Sequence, residues 1–529
     1  MNWTVKNRMR MKAIWVMMLM AVGAVSIVLT GSCARLLIPV LIPADDVQLR
    51  PPDGYFPHTD WRTSTPEAQG LDSDALVALF DTVEAKRLPI HSLQIVRYGH
   101  LVLDAYFFPF LQGERHDVAS ITKSITTTLI GLAVDRGALP SLETFVYPLL
   151  DSTTPEDVRK QQLRLRHLLT NSSGLDCGLA KFEQEMLAMA ASTDWVRFAL
   201  NLPMREAPGV RFAYCSPGFH LLSALISRRT GLAAEEFARQ NLFAPLGITD
   251  VRWPRDPQGI SQGAGDLQLR PTDLLKVGYL FLRQGEWEGR QIVSRQWIQQ
   301  ATRWQIGTSS WEGYGFGWWV SRDIPGMYQA SGRGGQRLIV WPAKDIVVVM
   351  TAGGFDPAQL APLLLSVLKS NAALPENPVA HARLLSRVHT ATVPVQTHQS
   401  APPLTTRAAA INHTVYALDP NPLEIRAIEL LFLDRSAAEV RVLRLEEELV
   451  FPVGLDGAYR FGTHPVSNER VSGRGRWTGP DEFVLEVDTI ARINHFTLVL
   501  HYEGDRVHGR LSERAGLIPE TEIAGRVRR

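Results

Sequence analysis

Ser120 and Lys123 stand three residues apart in Ser120-Ile121-Thr122-Lys123, near the start of a stretch that predicts a helix from Val118 to Arg136, closed by Gly137. Residues at that spacing share a helical face, so the lysine amine falls within hydrogen-bonding reach of the serine hydroxyl. A serine hydroxyl is a weak nucleophile until a neighbouring base takes its proton. A partly desolvated amine, whose charged form burial disfavours, is suited to that task. The helix N-terminus adds partial positive potential where an alkoxide would form. Ile121, Ile125, Leu129 and Leu132 give the helix an apolar stripe, so packing fixes its start, as a preorganised site requires. Four letters alone also fit a capping serine followed by a surface lysine.

Three further blocks follow: Leu165-Arg166-His167-Leu168-Leu169-Thr170-Asn171-Ser172-Ser173-Gly174-Leu175, then Phe212-Ala213-Tyr214-Cys215-Ser216-Pro217-Gly218, then Gly332-Arg333-Gly334-Gly335-Gln336. In order and spacing the four blocks resemble the serine β-lactamase-related superfamily, which holds class C β-lactamases, D,D-peptidases, related esterases and 6-aminohexanoate-dimer hydrolases. The resemblance runs from about Gly70 to about Leu368. It includes Gly265-Asp266-Leu267, Arg270 to Leu274 and Tyr314 to Trp319, and several flanking blocks are most similar to the 6-aminohexanoate-dimer hydrolase branch.

The resemblance implies a role for each block. Ser120 is expected to be the nucleophile and Lys123 its hydrogen-bonded activator. Tyr214 matches the tyrosine of a Tyr-x-Asn block that shuttles protons between nucleophile and leaving group. An unperturbed tyrosine has a pKa of ~10, so that role demands nearby positive charge; Lys123 and Arg333 are the cations at hand. The alternative is that Phe212 and Tyr214 are packed core aromatics. Ser216 stands where the family places asparagine and offers only a short hydroxyl, which disfavours efficient β-lactam hydrolysis and leaves ester hydrolysis the easier reaction. Ahead of Pro217, Ser216 is also a natural helix N-cap. Arg333-Gly334-Gly335 matches Lys-Thr-Gly of β-lactamases and His-x-Gly of their relatives. There the basic residue supplies positive potential, suited to anchoring a carboxylate, and glycine lets a substrate lie along the strand. The backbone N–H groups of Gln336 and Ser120 are the candidate oxyanion hole. The other reading of this block is a glycine-rich bulge beside an exposed arginine. His167, among Leu165, Leu168 and Leu169, reads as a structural histidine and is left out of the site. No metal or organic cofactor is implied.

Composition sets the bounds. A chain of 529 residues has room for more than one domain. Its 55 basic and 54 acidic residues nearly cancel, so nothing points to a nucleic-acid partner. Lys6, Arg8, Arg10 and Lys12 precede an uncharged stretch from Ala13 to Ala34, which reads as an export signal or an N-terminal membrane anchor. Gly31-Ser32-Cys33 is similar to a bacterial lipoprotein cleavage site, although Thr30 stands where that pattern prefers leucine. Either reading places the protein outside the cytoplasm, periplasmic or at the cell surface. Cys177 and Cys215 either pair in that compartment or are small buried apolar residues.

The elements that must position these residues form an α+β architecture: an antiparallel sheet flanked by helices, an all-helical lobe, and a C-terminal small all-β domain. Residues 1–35 are the signal or anchor, 36–66 a tether, 67–373 the hydrolase domain, 374–407 a linker and 408–529 the β-rich accessory domain. Asp72 is expected to cap a helix carrying Leu76, Leu79, Phe80 and Val83. Hairpins are expected at Leu93–Arg97 with Leu101–Phe107 and at Leu338–Trp341 with Ile346–Thr351. A short helix around His381 to Val388 is expected inside the linker. In the tail, strands are expected at 425–433, 439–450, 482–487, 495–502 and 507–511, with no catalytic constellation and no metal-ligand spacing among His464, His495, His501 and His508.

The expected activity is that of an exported serine hydrolase cleaving a small ester or amide through an acyl-enzyme on Ser120, esters favoured. The alternatives are amide chemistry (a 6-aminohexanoate-oligomer-like hydrolase, a D-amino-acid peptidase or a weak β-lactamase) and a non-catalytic ligand-binding protein on the same fold.

Overall fold

Asp72 accepts hydrogen bonds from the N–H groups of Asp74 and Ala75 and so caps helix α1 (Ser73–Ala85), which buries Leu76, Leu79, Phe80 and Val83 as one stripe. In this computed structural model, residues 55–57, 60–177, 184–394, 403–445, 447–465 and 467–528 are described. The segment 1–35 with Cys33, and the tether as far as residue 54, lie outside them. Among the described residues no helix is long and apolar enough to cross a membrane.

The stripe of α1 covers one face of an antiparallel sheet built from β1 (Ile90–Arg97), β2 (His100–Tyr106), β3 (Ile306–Gly307), β4 (Glu312–Tyr314), β5 (Trp319–Ser321), β6 (Tyr328–Gly332), β7 (Gln336–Trp341) and β8 (Ile346–Ala352). The strand order is β2-β1-β8-β7-β6-β5-β4-β3. Strand β8 shows why its sequence is apolar throughout. Ile346, Val348 and Met350 face the cluster under α1, whereas Val347 and Val349 face the larger core on the other side. That second face is covered by α4 (Pro271–Leu282), which follows two long helices of the helical lobe, α2 (Thr122–Asp135) and α3 (Ser216–Thr230). The lobe, inserted between β2 and β3, carries the first three sequence blocks, and the β6–β7 turn carries the fourth.

Residues expected to be linker hold a helix longer than foreseen, α5 (Pro378–Ala391), with Ala380 and Leu384 buried. Leu384 joins the apolar cluster under α1, and Arg383 and Arg387 pair with Asp74 and with Asp81 and Glu84 of α1. Beyond it come β9 (Thr414–Leu418), β10 (Ile425–Phe432), β11 (Ala437–Arg444), β12 (Glu447–Gly454), β13 (Arg460–Thr463), β14 (Arg470–Trp477), β15 (Glu482–Thr489), β16 (His495–Glu503), β17 (Arg506–Glu513) and β18 (Thr521–Val527). Their order is β12-β11-β10-β9-β18-β17-β16-β15-β14-β13, and a parallel bridge between Gly454 and Arg474 joins β12 to β14 in a barrel-like closure. The single strand expected over 439–450 is a hairpin instead. The chain reverses after Arg444, where Leu445 takes a left-handed φ of 56°, and the alternation of apolar residues on either side hides the break.

Helix α4 depends on a glycine for its approach to the sheet. A Cβ on Gly278 would lie 2.5 Å from Val347 Cγ1 and 2.7 Å from Leu338 Cδ1. Alanine is the better helix former by about 1 kcal/mol, yet here overpacking dominates. Gly278→Ala is therefore expected to destabilise the fold by about 1–3 kcal/mol, read as a lower urea midpoint with an unchanged slope.

Candidate active site

Ser120 lies in a single 3₁₀ turn, Ala119–Ile121, and α2 begins only at Thr122. The continuous helix expected from Val118 is broken by Ala119, whose φ is +47°, a left-handed conformation uncommon for a residue with a Cβ. Asp117 Oδ1 accepts the Ala119 N–H at 2.7 Å, and Thr122 Oγ1 donates to the Ala119 carbonyl at 2.6 Å. The turn is thus held from both sides and leaves Ser120 half-buried, next to a buried lysine.

Lys123 is 1% exposed. Its Nζ donates to Ser120 Oγ at 2.9 Å and to the Ala264 carbonyl at 2.8 Å. The i, i+3 spacing therefore produces the expected contact, and the Gly265-Asp266-Leu267 block supports it by placing Ala264 opposite the amine. The same Nζ lies 4.8 Å from the centre of the Tyr214 ring, so residues read from two separate blocks share one site.

Tyr214 is clamped on both sides by Asn171. The Asn171 carbonyl accepts the N–H of Ala213 at 2.7 Å, and its Oδ1 accepts the N–H of Cys215 at 3.0 Å. Asn171 has a left-handed φ of 51°, which asparagine tolerates well. Trp319 stacks on the tyrosine ring at 6.2 Å. Cys177 and Cys215 form a disulfide, which settles the open question of their pairing and ties the tyrosine segment to the second block. His167 takes the structural role expected of it: its Nδ1 accepts the Arg164 N–H at 3.1 Å.

Ser216 is buried, but Cys215 is the helix cap and Ser216 the first residue of α3, one position away from the expected cap. On the β6–β7 turn, Gly332 abuts the segment that carries Ser120; a Cβ there would meet Val118 O at 2.7 Å and Ala119 Cβ at 3.0 Å. Gln336 is fully buried, its Nε2 donating to the Ala352 and Arg333 carbonyls at 2.6 and 3.0 Å and its Oε1 accepting from Ala352 N–H at 3.0 Å. These bonds pin the turn that bears the candidate oxyanion-hole N–H. Gly334 and Gly335 do not present an open strand edge as expected. A Cβ on Gly334 would come within 2.4 Å of Ile493, and one on Gly335 would meet Ala352 and Phe355 at 3.1–3.3 Å. Arg333 is likewise not the exposed arginine of the alternative reading: its side chain is 13% exposed and Nη1 faces the buried Glu513 at 3.7 Å.

Residues from the C-terminal domain, in whose sequence no catalytic constellation is visible, therefore reach the candidate site. Arg492 lies among Asp117, Asp266 and Glu469; burial lowers its pKa, but these three acids outweigh that and hold it above the ordinary guanidinium value. Burial and the neighbouring Asp266 charge push the Asp117 carboxyl up to about 7, against the pull of Arg492, the Ala119 N–H and Arg333. Asp266 is raised too, by its own burial, with Arg492, Arg333 and Lys123 opposing. Asp266 sat in a recognised block without an assigned role. Asp117 and Arg492 carried no local signal, because their significance arises only when His116–Asp117 pairs with Gln268–Leu269 and the two domains meet.

A family model described as Beta-lactamase matches residues 76–369. The 6-aminohexanoate-dimer hydrolase of Paenarthrobacter ureafaciens is 24% identical over 328 residues, covering 56% of this chain and 81% of that protein. The lovastatin esterase of Penicillium rubens is 27% identical over 205 residues, covering 31% of this chain and 51% of its own. Among solved structures, the octameric penicillin-binding protein homologue from Pyrococcus abyssi aligns over 86% of this chain and 100% of its own, with 19% identity and a TM-score of 0.47.

Two outcomes follow from the geometry. Asn171→Ala removes the acceptor of a buried N–H and loosens Tyr214, and kcat is expected to fall by roughly 10–100-fold with little change in KM; steady-state kinetics on a p-nitrophenyl ester check this. Between ~4, where a free aspartate titrates, and about 7, the native state keeps the Asp117 proton that the unfolded chain has released. The contribution of Asp117 to stability therefore declines as pH rises through that window. Thermal unfolding is expected to show Asp117→Asn gaining on wild type between about pH 5 and pH 8.

Proposed function

The chain belongs to the β-lactamase family, and on that premise we propose that it is a serine hydrolase that cleaves esters, and less readily amides, through an acyl-enzyme on Ser120. The observation that carries this reading is the 2.9 Å hydrogen bond between the buried Lys123 amine Nζ and Ser120 Oγ, beside the Tyr214 ring. Ser120 Oγ attacks the carbonyl carbon, and its proton passes to the Lys123–Tyr214 pair. The tetrahedral oxyanion is stabilised by the N–H groups of Ser120 and Gln336. Collapse expels the alcohol or amine with a proton returned by Tyr214, and water then releases the acyl group by the same route.

Ester preference is supported by Ser216. A hydroxyl replaces the amide that would hold a substrate amide. The name of the Penicillium relative, an esterase, agrees, whereas amide cleavage is favoured by the longer match to the 6-aminohexanoate-dimer hydrolase. A non-catalytic binder has no need of the serine, lysine and tyrosine together. An extracytoplasmic location, with segment 1–35 as signal or anchor, belongs to the same proposal; it is supported by the basic flank ahead of the uncharged stretch and by the Cys177–Cys215 disulfide.

The test is turnover by the full-length protein in mild detergent of p-nitrophenyl acetate and butyrate, 6-aminohexanoate dimer, a D-Ala-D-Ala peptide and nitrocefin. Esters are expected to be hydrolysed fastest and nitrocefin slowest. Ser120→Ala and Lys123→Ala are expected to lower kcat by about 10³-fold or more, and Tyr214→Phe by about 10²–10⁴-fold. Ester turnover that survives in Ser120→Ala contradicts the assignment, and faster amide turnover promotes the second reading.

A further inference from the structure

Arg333 of the β6–β7 turn and Glu513 of the C-terminal domain meet where the two domains dock. The docking is made by direct bonds. The Ala491 carbonyl accepts the N–H of Asp117 at 2.8 Å, and Arg252 Nη1 and Gln268 Nε2 each donate to Glu469 Oε1 at 2.7 Å. Ile493 fills the space that a side chain on Gly334 would need. The Gly354 N–H donates to the Gly334 carbonyl at 2.8 Å, and a Cβ on Gly354 would meet the Arg514 carbonyl at 2.9 Å. Glu513, the last residue of β17, is thereby brought beside the turn.

The Glu513 side chain has no exposed surface. Asn494 Nδ2 and the Ala515 N–H donate to its Oε1 at 3.2 and 3.0 Å, and the Leu517 N–H donates to its Oε2 at 2.8 Å. Three donors from its own domain thus fix the carboxylate, with Oε1 3.7 Å from Arg333 Nη1. That nitrogen is buried and makes no hydrogen bond among the described residues, so the contact is one of charge. A guanidinium held against a fixed, buried carboxylate is neutralised by it, and a second anion brought to the same group faces that carboxylate at close range. Arg492, on the neighbouring loop, is likewise engaged, its Nε donating to Glu469 Oε2 at 3.2 Å.

Arg333 stands between Gly332, which packs on Val118 and Ala119 just before Ser120, and Gln336, whose N–H is a candidate oxyanion donor. A substrate whose carbonyl sits between the Ser120 and Gln336 N–H groups lies along this turn, and a carboxylate a few atoms away is the group that would meet Arg333. We propose that Glu513 is a specificity-determining residue: by pairing with Arg333 it withdraws that arginine from substrate, so that the site takes esters or amides without a carboxylate near the scissile bond. The C-terminal domain on this account sets the charge of the substrate. The inference deepens the proposed function and rests on the assignment of Ser120 as nucleophile.

The test compares kcat/KM of the full chain on two pairs of esters matched in size. One pair places the charge on the acyl side: the p-nitrophenyl monoester of adipic acid and the p-nitrophenyl ester of adipamic acid. The other places it on the leaving group: the butyrate esters of p-hydroxybenzoate and of p-hydroxybenzamide. Wild type is expected to favour the neutral member of at least one pair by about tenfold or more, and the carboxylate member of neither. Glu513→Gln frees Arg333, and in that pair the preference falls by about tenfold or more through a lower KM for the carboxylate ester. The double variant Glu513→Gln/Arg333→Gln loses this gain, because the gain requires the guanidinium. Arg333→Gln alone leaves Glu513 unopposed and raises the preference for the neutral ester. Wild type that favours a carboxylate ester, or treats both pairs alike, overturns the proposal. So does a Glu513→Gln protein, shown folded by thermal unfolding, with unchanged preferences, or a gain that persists in the double variant. If Glu513→Gln fails to fold, the wild-type preference and its direction of change in Arg333→Gln decide. Turnover surviving in Ser120→Ala, or none of any ester by wild type, overturns instead the nucleophile assignment beneath it.

Discussion

Lys123, 1% exposed and hydrogen-bonded through Nζ to two neutral oxygens, Ser120 Oγ and the Ala264 carbonyl, is the constraint around which this molecule is built. Burying a charge is costly unless opposite charge lies near. Asp266 is the acid whose carboxyl feels Lys123. Asp266 in turn stands beside Asp117, and that pair requires Arg333 and Arg492, which are opposed by Glu513 and Glu469. Acids and bases thus alternate from Lys123 into the C-terminal domain, and the hydrogen-bonded Ser120–Lys123 pair stands at one end of that sequence.

The rest of the fold supplies rigidity to the ends of this network. The sheet, packed on one face by α1 and on the other by α4, fixes the β6–β7 turn against Val118 and Ala119. Helix α2 is buried along most of its length, and the hydroxyls of Ser124, Thr126 and Thr127 are satisfied by the carbonyls of Gly317, Gly263 and Phe316 at 2.6–2.8 Å. Polar residues in that core therefore tie the helix of Lys123 to the loops around it with these hydroxyls satisfied. Asn171 and the Cys177–Cys215 disulfide do for Tyr214 what Asp117 does for Ser120.

What could be read in the sequence follows from the range of the interactions. Ser120 with Lys123, the Asp72 cap and the two hairpins are local patterns, and all appear where expected. Tyr214 was legible through its block, and the structure brings its ring to Lys123. The break in the helix at Ala119 was not legible, since alanine favours helix and its conformation is held by the side chains of Asp117 and Thr122 in a segment that pairs with the distant Gln268. Nor was the importance of Gly334 and Arg333: the glycine serves contact with Ile493 and the arginine faces Glu513, both more than 150 residues further along the chain. Arg492 sits in a loop with no pattern of its own, and its meaning comes from domain docking alone.

The proposed reaction requires that Ser120, activated by the buried Lys123, form a covalent acyl intermediate. Mass spectrometry of the folded chain after brief exposure to a fluorophosphonate probe, followed by peptide mapping, tests it most directly. A single adduct on Ser120 is expected, forming much more slowly in Lys123→Ala. An adduct on another residue, no adduct on the folded protein, or an equal rate without the lysine would contradict it.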